Sequence, residues 1–265
     1  MIKKIIISGR GGCGKSTLTS LIARKLSEEN KVVVIDLDEG NLGLNEILGV
    51  ERPKVEFLDY CGGRDKIMGE ILKVGIKGML MQKVGLKDGE SSDSIDVLDS
   101  IRISELSNEY TSWNGNIGYM VIGKIEESDE GCACPMGNLA RDLINHIELE
   151  ENEVIIVDTS AGIEHLGRGV TESIDKLITI VDGSNDAVML ANKINGIAKR
   201  AGKSHAVILN KVDGSIEELL RERLDDDIEV LGTLEYMPSI SESNINGTPI
   251  EIDNYDSIEE ILSKL

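Results

Sequence analysis

Aromatic residues are scarce: 265 residues hold one Trp (Trp113), one Phe (Phe57) and five Tyr. A core of any size must therefore be packed from aliphatic side chains. No apolar run approaches the roughly 18 residues that a membrane-spanning helix needs, which excludes a transmembrane class. Met1–Ile7 sets two lysines ahead of an isoleucine triplet, as a signal sequence does, but the triplet is too short and Gly9 ends it, so it reads as a buried strand. Basic residues are also in deficit, 28 against 48 acidic, for a net charge of −20. So negative a surface repels phosphate backbones and anionic lipid, and no local basic patch offsets it. Nucleic-acid and membrane partners are therefore not expected. The four cysteines (Cys13, Cys61, Cys132, Cys134) are too few and too unevenly spaced for a disulfide framework, which suits reduced thiols in a cytoplasmic protein.

What is present is an alternation. Ile5–Ser8, Val32–Ile35, Val154–Val157, Leu177–Val181 and Ala206–Leu209 are continuous β-branched or aliphatic runs, the pattern of strands buried on both faces. Helical patterns lie between them at Ser16–Ser27, Leu139–His146 and Val188–Lys199. This predicts an α/β fold, a mostly parallel central sheet with helices on both faces, in a single domain spanning 1–265. Ile117–Ile122 and Ile228–Leu231 are further strands. Residues from about 74 to 115 lack clean periodicity and read as a less regular insertion, with Lys87–Ser94 its clearest loop. At the end, Ile258, Ile261, Leu262 and Leu265 share one helical face. Its polar face is acidic, so this helix is expected to pack on the body rather than on a membrane.

The run Gly9-Arg10-Gly11-Gly12-Cys13-Gly14-Lys15-Ser16-Thr17 matches G-x-x-x-x-G-K-[ST], directly after a strand and opening a helix. Glycines let successive backbone N–H groups turn toward phosphate oxygens, and the helix N-terminus adds a favourable field. In such a P-loop nucleotide-binding fold Gly11, Gly12, Cys13 and Gly14 cradle the phosphates. Lys15 reaches the β- and γ-phosphates of ATP or ADP, Ser16 ligates Mg2+, and Thr17 meets the α-phosphate. Two acidic strand ends belong with this loop. Val32–Ile35 runs into Asp36 and Asp38, and a carboxylate there can orient water or the metal shell. Val154–Val157 runs into Asp158, a second carboxylate near Mg2+, followed by Gly162, whose N–H could sense the γ-phosphate. Each Asp alone could equally be a strand-end turn residue; beside the loop they form a set. Lys15 and Asp38 are the catalytic residues this predicts, in an ATPase.

Cys132 and Cys134 are one residue apart. In an extended segment both sulfurs would leave on the same side, and Pro135 suits the first turn of a following helix. Two thiolates from one chain half-coordinate a soft metal, and two chains meeting there would supply four, enough for Zn2+ or Ni2+. A pair of buried structural cysteines is the plainer alternative.

The doubled glycine with a basic residue ahead of it resembles the deviant Walker A loop of the family holding the Min-type and Par-type positioning ATPases and the nitrogenase iron protein. There a Lys at the position of Arg10 crosses a nucleotide-sandwich dimer, which the resemblance implies for Arg10 here. Asp158 through Arg168, with Ala161-Gly162-Ile163-Glu164-His165 within it, is similar to a segment of the CooC-type ATPases, maturation factors for nickel carbon monoxide dehydrogenase. Asp36–Asn41 resembles their acidic switch, with Glu39 where Pro is usual. Gly123-Lys124, followed by Cys132-Ala133-Cys134-Pro135, is similar to their Gly-Lys run and Cys-x-Cys-Pro element. The resemblance implies an ATP- and metal-dependent homodimer that carries Ni2+ (or Zn2+) on Cys132 and Cys134 and delivers it to apo carbon monoxide dehydrogenase. It also implies that Asn210 and Lys211 contact adenine and that the backbone near Pro238 closes that pocket. An iron–sulfur ATPase of the nitrogenase iron protein type is the alternative, since four thiolates across a dimer also suit a [4Fe–4S] cluster.

Overall fold

A run of apolar residues without polar alternation is stable as a strand only where both of its faces are covered. In a computed structural model of the chain, which describes residues 2–38, 40–63, 101–124, 134–160, 174–252 and 254–265, that condition is met five times over. The first half of the described chain contains β1 (Lys4–Gly9), α1 (Lys15–Leu26), β2 (Lys31–Leu37), α2 (Leu44–Leu48), α3 (Phe57–Tyr60), β3 (Ile101–Arg102), β4 (Ser112–Asn114) and β5 (Ile117–Val121). Next come α4 (Cys134–His146), β6 (Ile147–Glu148), β7 (Glu153–Thr159), β8 (Lys176–Val181) and α5 (Asn185–Ala201). The chain closes with β9 (Ser204–Asn210), α6 (Gly214–Arg223), β10 (Glu229–Leu234), α7 (Pro238–Asn246) and α8 (Asp256–Ser263).

Eight strands form one sheet in the order β10-β9-β8-β1-β7-β2-β5-β4. Every neighbouring pair is parallel except β4 with β5. Side chains alternate between two cores. Ile6, Val33, Ile35, Ile155 and Val157 face Met136, Leu139 and Leu143 of α4 and Ile194 of α5. Ile5, Ile7, Val32, Val34 and Ile156 face Leu18, Leu21 and Ile22 of α1 and Ile258 and Ile261 of α8. The α/β expectation is met, and α8 packs on the body as its apolar face predicts. Among the described residues no helix is long and apolar enough to cross a membrane.

Boundaries differ where tertiary contacts extend a pattern. α4 begins at Cys134, five residues ahead of its periodic stretch, and α7 has no buried residue, so hydrophobic periodicity could not signal it. The stretch expected to be irregular, 74–115, is described from 101 onward, where Ile103, Leu106 and Tyr110 are buried in the core. Tyr110 packs edge-on against Phe57, ring centroids 5.0 Å apart. The scarce aromatics are concentrated there, which is why aliphatic periodicity missed this part of the body. The Lys87–Ser94 loop lies outside the described residues.

Candidate functional site: a phosphate-loop cleft

The chain runs from β1 to β2 toward one edge of the sheet, and β8, β9 and β10 extend it toward the other, so strand order reverses beside β1. In open parallel sheets the crevice outside the carboxyl ends at such a reversal is where ligands bind. β7 lies between β1 and β2, and its register sets Asp158 opposite both Ile7 and Asp36. Three strands thus bring the phosphate loop, Asp36–Asp38 and Asp158 to one point without any help from loop geometry.

The loop itself demands glycine. Gly14 immediately precedes α1 with φ of 96°, in the left-handed region, and a side chain there would run into the Asn210 amide. At Gly9 a Cβ would stand 2.7 Å from Cys13 Sγ and 2.8 Å from Ile180 O. Cys13 is fully buried and burial pushes its thiol up to about 11, so its part is backbone and packing, not thiolate chemistry.

Lys15 is 7% exposed; its Nζ donates to Arg10 O at 3.2 Å and lies 3.7 Å from Asp38 Oδ2. Ser16 Oγ donates to Asp158 Oδ2 (2.8 Å) and accepts from Asn41 Nδ2 (2.7 Å). Thr19 Oγ1 approaches Asp158 Oδ1 at 3.4 Å. Asp158 is fully buried, and that burial, with Asp36 adding like charge, pushes its carboxyl up to about 7. Hydroxyl and carboxylate oxygens crowded together with too little positive charge suit a hard divalent cation, so the residues present fit Mg2+ at Ser16, Asp38 and Asp158. Among the described residues no three or more His, Cys, Asp or Glu side chains converge as a metal group.

A cleft of about 790 Å3 opens from this point, a volume suited to a nucleotide, and Gly11, Gly12, Gly14, Lys15, Ser16, Thr17 and Asp38 line its floor. Asn210, Lys211, Tyr236, Met237 and Ile240 also line it. Asn210 Nδ2 donates to Cys13 O and Lys211 Nζ to Gly12 O, each at 2.8 Å, so both side chains brace the phosphate loop while lining the cleft. Pro238 is the first residue of α7; Met237 and Ile240 line the cleft and Pro238 does not. Arg10 is held within its own chain: one guanidinium nitrogen donates to Ser184 Oγ at 2.9 Å and the other lies 3.8 Å from Asp186.

Three residues expected at functional sites have no described side chain. Gly162 and Cys132 lie outside the described residues, and Cys134 is described only as the backbone residue that opens α4. Sequence reasoning missed Asn41 as a partner of Ser16 and Asn244, whose amide approaches Thr17 Oγ1 at 3.4 Å. Asn41 closes the acidic run after β2 and was within sight of the motif; Asn244 carries no sequence signal.

Residues 4–250 match the family described as the CobQ/CobB/MinD/ParA nucleotide binding domain. An uncharacterized ATP-binding protein of Methanocaldococcus jannaschii is 38% identical over 98% of this chain and 100% of its own length. The carbon monoxide dehydrogenase accessory protein CooC of Rhodospirillum rubrum is 27% identical over 92% of this chain and 88% of its own. In fold, the chain is similar to the septum site-determining protein MinD from Pyrococcus horikoshii, solved with Mg-ADP. That structure gives a TM-score of 0.62 at 18% identity and covers 100% of this chain and 96% of its own.

Proposed function

The chain belongs to the CobQ/CobB/MinD/ParA nucleotide-binding family and is an ATPase; from that premise we propose that ATP drives it as a homodimeric metal carrier. In this reading nucleotide brings two subunits together, their Cys132 and Cys134 pairs join into one four-thiolate site for Ni2+ (Zn2+ fitting the same donors), and hydrolysis separates the subunits and releases the ion. Apo carbon monoxide dehydrogenase is the client. The observation that carries the reading is the Cys-x-Cys-Pro element in a chain whose phosphate loop and Asp38 line one cleft, with Asp158 buried behind Ser16; the likeness to the accessory protein CooC supports it.

The residues divide the work. Lys15 exchanges Arg10 O and Asp38 for the β- and γ-phosphates, and Thr17 takes the α-phosphate. Ser16, Asp38 and Asp158 would hold Mg2+ directly or through water, and the ion would supply neutralisation of phosphate charge. Asp38 orients the attacking water, and the Gly162 N–H registers the γ-phosphate. Arg10 leaves Ser184 and reaches the partner's phosphates, which its planar fork suits. Asn210, Lys211 and the chain around Pro238 enclose the base.

Replacing Cys132 and Cys134 together by Ala tests the carrier. The wild type is expected to hold about one Ni2+ per dimer in ATP, as four thiolates around one ion require, and the variant none, with ATP binding unchanged. Unaltered metal content would remove the thiolate site. A brown protein on anaerobic purification would instead favour an iron–sulfur cluster.

A further inference from the structure

Asp36 and Lys124 form an ion pair that the nucleotide chemistry leaves unused. Their side chains are 0% and 2% exposed, with Lys124 Nζ 2.8 Å from Asp36 Oδ2. Tyr119 OH donates to that same oxygen at 2.8 Å, and the Asp38 N–H donates to Asp36 Oδ1 at 3.1 Å. Both oxygens of Asp36 are thus engaged within the chain, so this carboxylate is not the one that faces a ligand, and Asp36 does not line the cleft. Lys124 does more than neutralise it: Nζ also donates to Asp38 O at 2.5 Å. The lysine is itself anchored, its N–H donating to Glu56 Oε2 at 2.9 Å.

Asp38 is therefore gripped on both of its peptide groups, N–H by Asp36 and C=O by Lys124, and its carboxylate is delivered to the cleft 3.7 Å from Lys15 Nζ. We propose that Lys124 is a positioning residue for ATP hydrolysis, fixing Asp38 through its backbone. The physical warrant is that a buried charge pair is weak evidence of added stability, whereas orientation of a water-activating group is worth large factors in rate. Without the lysine, the Asp38 carbonyl loses its buried donor and the strand end carrying Asp38 is free to move.

This rests on reading Asp38 as the water-orienting residue, so the test separates the two ideas by a double-mutant cycle in steady-state ATP hydrolysis. Asp38→Asn tests the reading itself: it is expected to lower kcat, and full activity in that variant would end the reading before Lys124 enters. Lys124→Met is expected to lower kcat by about 100-fold, the scale of a misplaced catalytic group, with KM for ATP within about threefold of the wild type, since orientation is lost and phosphate binding is not. In the Asp38→Asn background the same change is expected to cost almost nothing, because Lys124 acts through Asp38. Equal losses in both backgrounds would mean a merely structural lysine and would overturn the proposal. If Lys124→Met does not fold, the charge-neutral pair Asp36→Asn with Lys124→Met replaces it in the cycle. That pair still lacks the bond to Asp38 O, and wild-type kcat in it would equally overturn the proposal.

Discussion

At the scale of single residues, the cleft is built by putting like charges together and supplying too few opposites. Asp36 and Asp158 are direct cross-strand partners; Lys124 compensates the first, whereas hydroxyls of Ser16 and Thr19 meet the second. The imbalance at Asp158 is one that a divalent cation would offset. A second buried group contributes its own pH dependence. His205 on β9 contacts Thr179 Oγ1 at 2.9 Å through Nε2, and its Nδ1 is among the buried atoms lacking a hydrogen-bond partner. Burial pushes the imidazole down to about 4, against the opposing pull of Asp227 and Asp225. Its folded value lies below its unfolded value of about 6.5, so the unfolded chain binds the extra proton between them. The contribution of His205 to stability is therefore fully present above about pH 6.5 and is lost as pH falls toward 4, by at most roughly 3 kcal/mol, with the raised Asp158 carboxyl acting in the opposite sense. Urea unfolding of wild type and His205→Gln at a series of pH values in this window should show a shallower slope in the variant. Parallel slopes would mean that His205 is not the group responsible.

At the scale of elements, what could be read from sequence was whatever buries apolar side chains at a fixed period. The strands met the pattern because β1, β2 and β7 are covered on both faces, and α8 met it through Ile258 and Ile261, both fully buried. α7 did not, since it hides no side chain, and the end of the 74–115 stretch did not, since Tyr110 and Phe57 pack through ring contacts at no regular spacing. α8 also fills a place made for it: Gly232 on β10 has no Cβ, and one there would stand 2.7 Å from Ile261 Cγ1. Ile261→Ala should therefore open a cavity and cost about 2–5 kcal/mol in chemical denaturation. ATP affinity should be unchanged, because the helix lies away from the cleft. A loss below about 0.5 kcal/mol, the size of an ordinary surface change, would mean that α8 is only loosely attached.

At the scale of the molecule, the order of strands is what turns short motifs into a site. The Gly9–Thr17 motif, Asp38 and Asp158 are far apart in sequence and meet because β7 inserts between β1 and β2. The motif with its context made the phosphate loop legible, since G-x-x-x-x-G-K-[ST] between strand and helix has one known physical use. The bracing of that loop by Asn210 and Lys211, the tether of Arg10 to Ser184 and the grip of Lys124 on Asp38 carried no signature. Each depends on distances across the sheet between residues whose types are ordinary. Arg10 illustrates the consequence for assembly: in a single subunit its guanidinium is occupied by Ser184 and lies near Asp186, so contact with a partner's nucleotide requires an exchange of hydrogen bonds that ATP must favour. The central claim, that nucleotide and metal join two half-sites, is tested most directly by light scattering coupled to metal analysis, with ATP and Ni2+ added separately and together. The account predicts dimer in the presence of both, with about one metal ion per dimer as four shared thiolates require, and a return to monomer when the nucleotide is hydrolysed. A monomer under every condition, or a full metal load on the monomer, would contradict it.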